Sequence, residues 1–127
     1  MAWTVANEVK AAALNGICAL FNSGQIRLEN SSSAELATPT FGATAFGSAT
    51  TASPSVATSN AITADTTSIT AGTIAFIDFR TSAGASRLRG SVGVGTGDYQ
   101  VSDNVIPSGT TSVGIPGGVQ FSLQITG

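Results

Sequence analysis

Apolar side chains recur along this chain with two different periods, and the changes of period mark out its elements. Between Val5 and Asn22 the positions Val9, Ala13, Ile17, Leu20 and Phe21 fall on one stripe, widened by Leu14 and Cys18. That spacing belongs to one face of an α-helix. Thr4 stands where an N-cap belongs, Glu8 lies near the positive end of the helix dipole, and Asn22-Ser23-Gly24 is a stop signal. The pattern predicts one helix over residues 5–22 that docks this stripe on a sheet.

Past Gly24 the period falls to two. Gln25 to Glu29 alternates with Ile26 and Leu28 inward, Asn30 to Ser33 is a loop, and Glu35 to Phe41 reads as a second strand. Pro39 weakens that strand, because it cannot donate to a ladder. Residues 42–54 have Phe46 as their one large anchor among Gly, Ala, Thr and Ser, which predicts a mobile loop over the sheet edge. Val56 to Ile62 is a short strand and Asp65 to Ser68 a turn.

The densest β-branched and aromatic run is Gly72 to Arg80, and Ser86 to Val94 returns from it with Arg87, Arg89 and Ser91 alternating against Leu88, Gly90 and Val92. The two runs predict a hairpin turned at Ser82 to Ala85, with the first arm as the core strand, buried on both sides. Gly93-x-Gly95-x-Gly97 reads as a loop, Asp98 to Ser102 as a short strand, and Val119 to Ile125 as a strictly alternating last strand. About eight strands at roughly ten-residue spacing predict a mainly β fold, an antiparallel β-sandwich of jelly-roll-like type with one N-terminal α-helix. One domain is expected over residues 1–127, with an arm at 1–4, the helix at 5–22 and the sandwich at 24–127.

Composition changes this picture in one respect. Ala, Thr, Ser and Gly make up 67 of the 127 residues, against 12 charged ones, and the net charge is −2. A surface so weakly charged lacks the repulsion that keeps monomers apart, which points to an assembly whose neighbours cover part of it. It also lacks the basic footprint that nucleic acid requires. Cys18, alone and in an apolar pattern, reads as a buried structural thiol. The apolar run ending at Phe21 is too short to span a bilayer, and Glu8, Asn15 and Gly16 break the pattern of a signal peptide.

Catalysis needs groups that transfer protons, attack or hold metal, and the chain has no histidine, one cysteine and seven dispersed carboxylates. Asp98, Asp103 and Asn104 match no calcium-loop spacing and read as turn residues. A paired-carboxylate hydrolase stays open, because such pairing is spatial. Arg87 and Arg89, with Arg80 across the hairpin, form either a solvated sheet face or a contact for acidic groups of a partner. Trp3 is costly to leave in water and Tyr99 has a polar tip, so a sugar-stacking groove is a further alternative. No cofactor, metal or catalytic residue is assigned.

The order of these segments resembles that of a family of small proteins encoded near the capsid genes of tailed bacteriophages. In that family an Ala-rich helix is followed by a Gly-x-Ile/Leu-Arg/Lys-Ile/Leu strand, a Val-Ala-Thr-x-Asn-Ala-Ile segment, a hairpin with Gly-Ser/Thr-Val-Gly and an alternating last strand. Here the pieces are Ala11 to Phe21, Gly24 to Leu28, Val56 to Ile62, Gly90 to Gly93 and Val119 to Ile125. The loop from Asn30 to Glu35 departs from the family in lacking its usual Pro-Ala. The resemblance implies a virion structural protein, made in the host cytoplasm and placed on the capsid exterior as a decoration or cement protein. Its expected partners are the major capsid protein and further copies of itself, as a trimer or a dimer, with no nucleic acid and no membrane. Trp3, Phe46, Arg80, Arg87 and Arg89 are the expected contact residues. A tail or fibre component, or a carbohydrate-binding sandwich module, is the alternative.

Overall fold

In the computed structural model, which describes residues 4–124, the chain runs through α1 (Asn7–Ala19), β1 (Gln25–Glu29), β2 (Glu35–Ala37), β3 (Thr40–Phe41), β4 (Ser55–Thr58) and β5 (Ile62–Thr63). It continues through β6 (Gly72–Thr73), β7 (Phe76–Arg80), β8 (Ser86–Val94), β9 (Tyr99–Val101), β10 (Val105–Ile106) and β11 (Gln120–Leu123). The protein is mainly β with one helix among the described residues. Seven strands form a curled sheet in the order β5-β3-β1-β7-β8-β9, with β2 also paired to β1. Two smaller pairs, β6–β10 and β4–β11, complete the strand set.

The predicted hairpin is the centre of the large sheet, with β7 flanked by β1 and β8. Pro39 divides the second predicted strand into β2 and β3; it is fully buried, and its carbonyl accepts the N–H of Ile26 at 2.8 Å. One pair departs from the antiparallel expectation, because β8 and β9 run parallel with Val92 opposite Tyr99. The glycine loop between them allows it. Gly95 and Gly97 adopt φ of 70° and 89°, and a Cβ at Gly93 would lie 2.8 Å from the Thr96 carbonyl oxygen, so the chain coils back more tightly than larger residues permit.

The apolar face of the large sheet, carrying Phe41 and Phe79, meets Phe21 and Phe121 in an aromatic cluster. The Phe79 and Phe121 rings lie 5.1 Å apart and edge-on, and Phe21 lies 5.8 Å from Phe121. Edge-to-face pairs at such distances add to the burial of area itself. Helix α1 packs on β4 and β11 and seats Ala11, Leu14 and Cys18 in the core.

Three expectations are corrected here. The helix starts behind Ala6, with no side-chain cap from Thr4, and ends at Ala19. Its buried side is only part of the predicted stripe: Leu14, Cys18 and Phe21 point inward as expected, together with Ala11, whereas Val9, Ala13, Ile17 and Leu20 are exposed. Both sides of α1 are apolar, so periodicity could not choose between them; Phe21, which fills the aromatic cluster, did. Residues 42–54, expected as a mobile loop over the sheet edge, are tied to α1 instead. Their backbone N–H groups at Ala45 and Ala49 bond to Asn22 Oδ1 and Asn15 Oδ1, Ser53 Oγ accepts from the Lys10 ammonium, and Ala45 and Phe46 are buried. The predicted contact residue Trp3 and the strand end at Ile125 lie outside the described residues.

Candidate functional site

Strand alternation gathers most of the charge on the outer face of the large sheet. Register places Arg27 opposite Asp78, Asp78 opposite Arg89, and Glu29 opposite Phe76. Glu29 and Asp78 are only 3% and 1% exposed, and buried carboxylates must be paired. Glu29 Oε1 accepts from Arg89 Nη2 at 2.7 Å. Glu29 Oε2 lies 2.8 Å from Arg27 Nε, but off the N–H axis, so this contact is Coulombic more than a hydrogen bond. Asp78 accepts from Arg80 Nε at 2.7 Å and from the Ser86 hydroxyl. The Arg89 guanidinium also lies 4.1 Å from the centre of the Phe76 ring, a cation–π contact that fixes its plane.

Two of the predicted contact arginines are therefore spent inside the chain. Arg80 and Arg89 compensate buried carboxylates. Arg87 does not: it is the extra residue of a bulge, since Leu88 pairs with Phe79 but Ser86 with Arg80. Its guanidinium bonds only to the neighbouring Ser86 carbonyl. Phe46 is removed from the contact set by its burial, stacked 4.7 Å from Phe121.

The other chemical groups are engaged locally. Burial raises the Asp65 carboxyl, but N–H bonds from Thr67, Thr38 and Ser68 outweigh it and hold the group below its ordinary range. Asp98 is lowered by the N–H and hydroxyl of Ser91. Asp103 accepts from the Val105 N–H, so these two carboxylates cap separate turns. Among the described residues no three His, Cys, Asp or Glu side chains gather in a metal-binding group, and no helix is long and apolar enough to cross a membrane. Cys18 is buried and its thiol is raised by that burial. Tyr99 is half-buried, its phenol raised by desolvation.

The surface that the periodicity misassigned is the outward face of α1. Val9, Ile17 and Leu20 are 52%, 37% and 48% exposed, and Ala12, Ala13, Gly16 and Ala19 lie exposed among them. Their spacing of three and four residues makes one continuous stripe. Lys10 is turned inward to Ser53, which leaves Glu8 as the one charge on the exposed part of α1. A helix apolar on both sides is normally covered on both. Gly16 adds to this: a Cβ there would meet nothing within 4 Å, so nothing among the described residues calls for a glycine that costs about 1 kcal/mol in mid-helix.

Compared with known proteins, the chain matches no family, no curated relative and no solved structure.

Proposed function

We propose that this chain is a non-enzymatic capsid decoration (cement) protein of a tailed bacteriophage, bound to the outer surface of the head and stabilising contacts between major capsid subunits. The observation that carries the reading is the outward face of α1, an apolar surface centred on Val9, Gly16, Ile17 and Leu20 with Glu8 as its one charge. Water is displaced favourably when a second protein covers such a surface. The resemblance of the segment order to capsid-associated phage proteins supplies the partner. In this reading the large sheet and the β4–β11 pair are the layers of an antiparallel jelly-roll-like sandwich, supported by their facing Phe79 and Phe121 rings. The protein acts as a homotrimer or dimer, so that several modest contacts to symmetry-related coat subunits add through avidity.

Co-sedimentation with purified heads, and separately with tails, tests this. Saturable binding to heads at a simple fraction of the coat copy number is expected, and Ile17→Glu should abolish it. Binding to tails or host cells but not to heads overturns the decoration reading in favour of a fibre component. If Ile17→Glu instead dissociates the protein's own oligomer and leaves head binding intact, the α1 face belongs to self-association.

A further inference from the structure

We propose that the outer edge of β8, from Ser86 to Gly90, is a docking site for an extended segment of a partner protein in which apolar residues alternate with acidic ones. β8 is the longest strand of the sheet, and its two sides are unequally used. It pairs with β7 from Ser86 to Ser91, whereas β9 joins its other side only from Val92. Val92 donates its N–H to the Ala75 carbonyl on the β7 side. Strand alternation therefore turns the N–H and C=O groups of Arg89 outward, and beyond the bulge those of Ser86, since the Thr81 N–H bonds to the Ala85 carbonyl on the β7 side. At the next outward position the Ser91 N–H is taken by Asp98 Oδ2 at 3.0 Å. No strand among the described residues pairs with Ser86 or Arg89 on that side.

On the apolar side of the sheet a cleft of about 380 Å³ opens beneath this edge, lined by Ile77, Phe79, Leu88, Tyr99, Val119 and Phe121, with Asp98, Arg89 and Gln120 as its polar members. Leu88, at its mouth, is 46% exposed. A strand of about five residues, spanning roughly 17 Å, would lay alternate side chains into the cleft and the others over the arginines. Among the described residues Arg87 is the one arginine with no carboxylate at ion-pair distance; Arg27 and Arg80 each have two and Arg89 has one. An acidic partner residue completes that set. The same arginines disfavour a second copy as occupant, because pairing β8 with another β8 edge would set Arg87 and Arg89 against their counterparts. This mode is strand addition, in which backbone bonds give affinity and alternate side-chain pockets give selectivity. It is independent of the capsid reading, since neither heads nor tails enter its test.

The test uses the full chain with a short acetylated, amidated peptide in which valine alternates with glutamate, and a counterpart in which lysine replaces glutamate. Amide hydrogen exchange followed by NMR should show the Ser86 and Arg89 N–H groups protected by the glutamate peptide, with the lysine peptide binding roughly fivefold more weakly. Arg87→Glu should reverse that preference, and Arg87→Ala should remove most of it; both alter an exposed side chain that holds no buried partner. Unchanged exchange at Ser86 and Arg89 at about 1 mM peptide, equal binding of the two peptides, or protection that falls on α1 instead, overturns the proposal and leaves the edge as one merely blunted by charge and bulge.

Discussion

Glu29 and Arg89 meet at 2.7 Å although 60 residues separate them in the chain. The contact joins β1 to β8 across the intervening β7, so the polar face of the sheet is held by charge as well as by its ladder. Glu29→Gln keeps the side chain's shape but leaves Arg27 and Arg89 facing a neutral group. Breaking a buried ion pair from one side costs about 3 kcal/mol, and urea unfolding of the variant should show a loss of that size. Arg89→Ala should cost less, about 1 kcal/mol, because the arginine is the more exposed partner. Equal losses would place the energy in the pair alone and not in the burial of Glu29.

The two sides of α1 should respond oppositely to substitution. Leu14→Ala empties a core position and should lower stability by about 3 kcal/mol. Ile17→Glu, on the exposed side, should stay within about 0.5 kcal/mol of the parent while abolishing partner binding. Chemical denaturation of both variants checks the assignment of the faces without reference to any partner.

Gly16→Ala should raise stability by about 0.5–1 kcal/mol, because the added methyl meets open space and the unfolded chain loses freedom. The same methyl should weaken whatever packs closely on α1. A rise in melting temperature together with weaker binding to heads is the expected outcome, and a fall in melting temperature would show that glycine is required by the fold.

Acid should loosen the region around Asp65. Its folded pKa is lowered below the unfolded value, so the stability it contributes is present above the unfolded carboxylate range, near pH 4, and is lost as pH falls through the folded pKa. Asp65→Asn removes that dependence. The variant should be the less stable protein at pH 7, because the Thr38, Thr67 and Ser68 N–H groups lose a charged acceptor. The gap between the two proteins should narrow as pH drops below about 4. Thermal melts across that range measure it.

Near-neighbour chemistry made much of this protein legible from sequence. The alternation of Gln25 to Glu29 and the strand around Phe121 emerge where the pattern places them, as does the hairpin ending at Val94 except that its first arm starts at Phe76, Gly72–Thr73 pairing with β10 instead, because a period of two reports a pleated chain with one face in the core. The helix was equally plain. Its orientation was not, since Val9 and Ile17 are as apolar as Leu14 and Cys18, and only the distant Phe41, Phe79 and Phe121 rings, closing on Phe21, decide which side goes in. The same reason hid the charged face. Arg80 and Arg89 looked like free contacts because Glu29 and Asp78 reach them through strand register, which no local pattern encodes. By itself the sequence determined the helix, the central hairpin and the main strands in their order, which rest on side-chain period, turn chemistry and glycine. The tertiary structure alone decided which apolar stripe stays in water, which arginine stays unpaired and which strand edge stays open, because each depends on groups brought together from far along the chain.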